Sequence, residues 1–214
     1  MIDYIWRVNG LDVFYTNETN GGGDFLALEY MQVVKEWYNK VDSVLEWCSG
    51  PGFIGYSFLA TGLCDKVAFN DMYEPAIAEL KKTRDYNKLE QVEIYQGSTL
   101  ENIKDVQYDL VVGNPPHWKD VESASNSLGF DVTQFKHIED ILVDKDWAAH
   151  KSFYNNVKKL LRPDGKILLQ ENGFGSTPKD FEKIVTDAGL KITSYAESVM
   201  YKDKQIYYLE VAHK

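Results

Sequence analysis

The chain has 214 residues, enough for one ordinary α/β domain and too few for two generous ones. Its 44% hydrophobic and 26% charged content excludes the disordered and fibrous classes, and its formal net charge of -10 offers no general attraction to phosphate backbones. No apolar run approaches the ~20 residues of a bilayer span, and residues 1–10 lack a signal peptide's basic start and apolar middle, so a cytoplasmic protein without membrane contact is expected.

The opening, up to Gly23 and including Asn20-Gly21-Gly22-Gly23, reads as a mobile lead-in; with a first helix over 25–39 it forms an N-terminal unit of residues 1–40. Strands rich in Val, Ile and Leu follow near 43–46, 66–69, 91–95 and 108–112, with helices over 53–61 and 74–86 between them. Residues 117–146 are polar, irregular and long for a connection, which marks a substrate lid. A helix over 147–160, a turn at Arg162-Pro163-Asp164-Gly165, a strand over 166–170 and a helix over 178–188 come next. Thr177 as cap, Pro178 at the first helical position and Gly189 as terminator punctuate that last helix. Strands near 192–195 and 205–211 close the chain, joined too briefly for a helical crossover, so the final strand must run antiparallel. The alternation predicts a single α/β domain over 1–214: a Rossmann-like, seven-stranded, mainly parallel sheet with its last strand antiparallel and helices on both faces.

Four strand ends carry candidate chemistry. The first strand ends in Glu46-Trp47-Cys48-Ser49-Gly50-Pro51-Gly52, an acidic residue and then a small-residue turn into a helix, where open α/β sheets bind ligands. Asp71, with Met72 beside it, ends the second strand, and its carboxylate can accept two hydrogen bonds from ribose hydroxyls or cap the following helix. Ser98 follows the third strand as a further hydroxyl acceptor or an ordinary turn serine. The fourth strand ends in Asn114-Pro115-Pro116-His117-Trp118. The Asn114 side-chain carbonyl and the Pro115 carbonyl, on a backbone stiffened by proline, can together accept both hydrogens of a planar amino group.

The loop at Glu46 to Gly55 resembles the first motif of class I S-adenosylmethionine-dependent methyltransferases. Gly50 and Gly52 match it, and Cys48 stands where a glycine is commonest. Asn114-Pro115-Pro116-His117 resembles the Asn-Pro-Pro-aromatic motif of methyltransferases acting on amide or exocyclic amino nitrogens, with His117 in place of tyrosine or phenylalanine. These include adenine-N6, ribosomal-RNA guanine-N2 and release-factor glutamine enzymes. Together with Gly165-Lys166-Ile167-Leu168-Leu169-Gln170-Glu171-Asn172-Gly173, the motif is most similar to the catalytic domain of the release-factor group, from Val44 onward. The resemblance implies S-adenosyl-L-methionine as cofactor, held by Glu46, Cys48, Gly50, Gly52, Asp71, Met72, Ser98 and Asn114, and a catalytic loop of Asn114, Pro115, Pro116 and His117.

The implied reaction is direct displacement of the methyl group by the acceptor nitrogen, with neither metal nor covalent intermediate. The acidic balance favours a protein or small-molecule acceptor. A nucleic-acid amino group is the alternative, and Tyr154, Lys158, Lys159 and Arg162 are the candidates for the patch it would need, against a reading as a solvated helix face. A noncatalytic cofactor-binding module is a third reading. Cys48 and Cys64 fit neither a disulfide framework nor a zinc site. Glu139, Asp140, Asp144 and Asp146 match no calcium loop and read as a solvated lid surface. Of the histidines at 117, 137, 150 and 213, only His117 sits in a motif; His150 reads as a helix residue.

Overall fold

A computed structural model describes residues 2–20, 23–104, 106–134 and 136–214. A hairpin, β1 (Asp3–Val8) and β2 (Leu11–Thr16), precedes α1 (Gly23–Tyr38). Then follow β3 (Ser43–Trp47), α2 (Phe53–Thr61), β4 (Lys66–Asp71), α3 (Glu74–Tyr86), β5 (Val92–Gln96) and β6 (Tyr108–Gly113). The insertion after β6 holds α4 (Val121–Leu128) and α5 (Lys136–Leu142), and the chain ends with α6 (Ala148–Val157), β7 (Leu161–Asn172), α7 (Pro178–Asp187), β8 (Leu190–Glu197) and β9 (Ile206–His213).

Seven strands form one sheet in the order β5-β4-β3-β6-β7-β9-β8. Only β9 runs against its neighbours, as the short link from β8 requires. All five residues of β3 are buried because the strand is covered on both faces. Alternation along the strands sends Val44, Val112 and Leu168 to one face, against Tyr30, Val34 and Phe58 of α1 and α2. Leu45, Val111 and Leu169 go to the other face, against Phe153, Val157 and Phe181 of α6 and α7. The Tyr30 hydroxyl donates to the Leu168 carbonyl, which ties α1 to the middle of the sheet. β4 and β5 lie on one side of β3, and β6 and β7 on the other. That reversal opens a crevice at the carboxyl ends of β3, β4 and β6.

Three expectations need correction. The lead-in is a paired hairpin, not a mobile segment: β1 and β2 turn at Asn9-Gly10, whose φ values of 42° and 86° are those of a tight primed turn, and Val13 is completely buried. The Phe14 N–H donates to the Thr83 hydroxyl of α3 and fixes the hairpin to the domain. Gly21 and Gly22 of the glycine run lie outside the described residues. The segment 117–146 is not irregular, since it carries two helices, the first capped by the Asp120 carboxylate on the Ser123 N–H and closed by Gly129 at φ 76°. Finally, residues 162–165 are absorbed into β7 as a register shift, Tyr108 pairing with Leu161 but Leu110 with Lys166. At α7 the carboxylate of Asp180 accepts from the N–H and hydroxyl of Thr177, as its punctuation implies.

Gly10→Val places a β-branched residue at φ 86° and should lower stability by about 1–3 kcal/mol, read as a lower midpoint in urea. An unchanged midpoint would show that the hairpin contributes nothing to the fold.

Candidate active site

A cavity of about 640 Å³ lies at the carboxyl ends of β3, β4 and β6, roofed by the start of α1 and by the insertion. The loop after β3 forms its floor. Cys48 takes a left-handed conformation, φ 51°, which explains why glycine suits this position, and Gly50 does the same at φ 51°. Gly52, at φ 84°, faces away from the cavity: a Cβ there would lie 2.7–2.8 Å from Leu80, Phe69 and Tyr56. It lets the α2 N-terminus pack on the sheet rather than meeting a ligand. The Glu46 Oε2 accepts the Gly55 N–H at 2.6 Å, which anchors α2 to the strand end. Burial pushes its carboxyl up to about 8, despite the N–H groups of Gly55 and Ile54 that stabilise the anion.

Asp71 accepts the Gly50 N–H at 2.7 Å and the Tyr73 N–H at 2.9 Å, so it braces the glycine loop and the turn into α3. The helix cap itself is Tyr73. Burial raises the Asp71 carboxyl above its ordinary range against those two N–H groups. Met72 and Ser98 line the cavity beside it.

β6 delivers Asn114 and Pro116 to the opposite wall. The Asn114 Oδ1 is buried with no hydrogen-bond partner among the described residues. Pro115 is buried below the wall, and His117, 8% exposed, turns away from the cavity. Its Nδ1 lies 3.2 Å from the Oε2 of Glu171 on β7. The other Glu171 oxygen is 3.1 Å from Nε2 of His150, whose Nδ1 is 2.6 Å from Asp144. His117, Glu171, His150 and Asp144 thus form one buried chain, the middle pair with zero exposure. Burial alone would lower the His150 imidazole, but the carboxylates of Glu171 and Asp144 outweigh it and raise it to about 9. Both carboxyls are held below their ordinary values, burial being overcome by the His150 cation and its hydrogen bonds. Phe181 stacks on His150 at 4.8 Å, and Trp47 and Trp147 present their edges to it at 5.4 Å.

Glu46, Cys48, Gly50, Asp71, Met72, Ser98, Asn114 and Pro116 therefore line one cavity, whereas Gly52, Pro115 and His117 are not among its lining residues. One expectation about side chains fails. Asp144 is not on a solvated lid surface but 4% exposed and bonded to His150, and it lines the cavity. Of the four residues weighed as a basic patch or a solvated helix face, Tyr154 is fully buried and Arg162 is paired with Asp109 at 2.6 Å, whereas Lys158 and Lys159 are exposed. Sequence reasoning passed over Asn20, Ser49 and Gln170, each of which lines the cavity with a buried, unpartnered oxygen among the described residues. Only Ser49, inside the glycine loop, carried a local signal.

Residues 8–129 match the model of the methyltransferase small domain family. The chain belongs to that family of methyltransferases and has the class I fold, whose cofactor is S-adenosylmethionine. It is 26% identical over 167 residues to a bifunctional methyltransferase of Rickettsia typhi, covering 76% of this chain and 30% of the relative. It is 29% identical over 143 residues to the release factor glutamine methyltransferase of Shewanella oneidensis, covering 66% and 49%. The chain thus spans 30% and 49% of the length of these two relatives. Among solved structures, the 16S rRNA N2 G1207 methyltransferase of T. thermophilus, in complex with AdoMet and guanosine, superposes with a TM-score of 0.64 at 17% identity, over 100% of this chain and 50% of that one. A glycopeptide N-methyltransferase complexed with S-adenosylmethionine gives 0.62 at 14%, over 88% and 94%. Among the described residues, no helix is long and apolar enough to cross a membrane, and no cluster of His, Cys, Asp and Glu is arranged to hold a metal.

The raised His150 and Glu46 groups predict a pH dependence of stability. Each binds its proton more tightly in the folded state, so its contribution is complete below its ordinary value, near 6.5 and 4.5, and is lost as pH rises through about 9 and about 8. Urea unfolding should show stability falling steadily from pH 6.5 to 9.5. A flat or rising profile would mean that His150 does not carry its proton.

Proposed function

We propose that this chain transfers a methyl group from S-adenosylmethionine to a planar amide or amino nitrogen of a protein or small molecule. One observation carries the reading: a buried carbonyl oxygen on Asn114, lacking a donor, stands in the wall of the cavity that the glycine loop floors. A buried acceptor left without a donor costs about 1–3 kcal/mol, so the site is built to receive an N–H.

The residues present fit the cofactor. Asp71, Asp140 and Asp144 line the cavity, and no Lys, Arg or His is among the described residues that do. That field favours a sulfonium and an ammonium and disfavours phosphates. The unpartnered Ser49 hydroxyl and Asn20 carbonyl offer polar contacts beside the loop, and Asp71 keeps lone pairs for a ribose. S-adenosylmethionine would supply an electrophilic methyl group on sulfur. The protein's part is alignment: Asn114 holds the acceptor nitrogen by its hydrogens and draws its lone pair out of conjugation, in a pocket closed by α1 and the insertion. The insertion over 117–146 acts as the cover of the acceptor side. The acidic lining favours a protein or small-molecule acceptor over nucleic acid, and Asn114 favours a catalytic reading over a mere cofactor-binding module.

Asp71→Asn, read on a variant shown to be folded, removes the charge and one of the two oxygens that accept the Gly50 and Tyr73 N–H groups. It should weaken S-adenosylmethionine binding by about 1–3 kcal/mol in calorimetry. Equal affinity in the folded variant removes Asp71 from the ribose site.

Asn114→Ala should leave cofactor affinity nearly intact and slow methyl transfer roughly 100-fold or more. The assay supplies methyl-labelled cofactor with separate protein, nucleic-acid and metabolite fractions. Label in the protein or metabolite fraction supports the reading, label in nucleic acid alone transfers it to the base-methylating class, and full activity in the variant defeats the role of Asn114.

A further inference from the structure

We propose that a second cavity, at the opposite end of the sheet from the active site, binds a small phosphate monoester, with its phosphate between Lys158 and Lys159 and its organic part on a floor of Leu161 and Pro163.

This cavity has a volume of about 610 Å³, close to that of the first. It lies where β6 and β7 begin, between Gln107, the end of α6 with the turn after it, and His213 at the end of β9. The Lys158 Nζ reaches the turn after α7, 3.0 Å from where a Cβ on Gly189 would lie, and the next residue, Leu190, pairs with His213. Strands rise about 3.3 Å per residue, so the seven steps from Gln107 to Asn114 put about 20 Å between the two cavities. A ligand here is not the group that receives the methyl, and the proposal is independent of which acceptor is methylated.

The charge of this cavity is the inverse of the molecule's. The chain carries 33 acidic residues against 23 basic ones, yet no carboxylate is among the described residues that line it. Its polar lining consists of the two lysines, His213 and three side-chain amides. Both lysines are exposed and form no ion pair among the described residues, whereas the neighbouring Arg162 is neutralised by Asp109 at 2.6 Å. The negative end of α6 accounts for one lysine there. It accounts neither for a second lysine facing the same cavity nor for the exclusion of every acid from the lining. Two ammonium groups held together without a carboxylate repel each other, and a bound dianion relieves that repulsion.

Charge and size choose the ligand. A phosphate monoester brings three accepting oxygens and a charge of about −1.5 to −2, which suits two ammonium groups with three donors each better than the single charge of a carboxylate does. Sites for small molecules span about 300–1,000 Å³, so inorganic phosphate would leave most of this cavity empty. Leu161 and Pro163, with the methylene stems of the lysines, offer the remaining space an apolar surface. A nucleic acid would bring many phosphates against a chain of net charge -10, whereas a single phosphate meets only the two lysines.

The test titrates the full, isotope-labelled chain by NMR with phenyl phosphate, phenol, inorganic phosphate and a single-stranded oligonucleotide. Phenyl phosphate should shift the amide signals of Gln107, residues 155–161 and His213, more tightly than inorganic phosphate does, and phenol should leave them unmoved. Replacing both lysines, K158Q with K159Q, should weaken phenyl phosphate binding at least about tenfold, the scale of a lost charge-assisted hydrogen bond, while the urea midpoint stays unchanged. If the double variant does not fold, K159Q alone should weaken binding in the same direction. These results together support the site. No shift at these amides with about 10 mM phenyl phosphate, undiminished binding in the folded variant, or inorganic phosphate binding as tightly as the ester would overturn it. Displacement of phenyl phosphate by a lower concentration of oligonucleotide would overturn it in favour of a nucleic-acid surface.

Discussion

The active-site side of this molecule depends on a carboxylate that water cannot reach. Glu171 has no exposure, so its charge must be balanced from within, and it is balanced by the raised His150 imidazole on one oxygen, with His117 in hydrogen-bond reach of the other. Asp144 closes the chain on the far side of His150 and also accepts the N–H groups of Ala149 and His150 at the start of α6. Removing one member of such a set leaves an uncompensated buried charge, which typically costs about 3–5 kcal/mol. The chain therefore does more than fill space. It holds the Asn114–His117 loop to β7 and the end of the insertion to α6 at the same time.

Backbone pairing follows the same lines. Leu142 accepts the N–H groups of His117 and Trp118, the Asp144 N–H donates to Trp118, and Val143 forms a parallel bridge with Trp118. A Cβ on Gly175 would run into the His117 carbonyl, so the segment after β7 also closes on this loop. The β6 wall of the cavity is thus built from three segments distant in sequence, and its floor from one. This division fits the usual economy of open α/β sheets, where a local turn after the first strand meets one ligand and loops at the switch point meet the other.

The local features were legible in the sequence. The strands, the glycine turn after Glu46, the acidic end of β4 and the Asn-Pro-Pro end of β6 each announce themselves within a few residues, and the structure gathers Glu46, Asp71, Ser98 and Asn114 around one cavity. The reading failed where a residue's meaning is set by a partner far along the chain. His150 looks like any helix residue until Glu171, 21 positions away, is folded against it. Asp144 looks solvated because acidic neighbours surround it in sequence, yet it is turned inward. Gln170 sits in an ordinary apolar strand, and the orientation of its amide depends on Tyr208, 38 positions away. Gly52 is the reverse case: the motif places it at the ligand, while the packing of Leu80, Phe69 and Tyr56 against it shows why only hydrogen fits. The hairpin was missed for a local reason, since Asn9-Gly10 between alternating residues is itself a hairpin signal.

The central claim is that one cavity, bounded by Gly50, Asp71 and Asn114, takes the cofactor with its methyl group toward the Asn114 wall. A crystal structure of the protein with bound sinefungin tests it most directly. The account predicts the ribose within hydrogen-bond reach of Asp71 and the amine that replaces the methyl group directed at Asn114. Density for the ligand elsewhere, or with its reactive end turned away from β6 and β7, would contradict it.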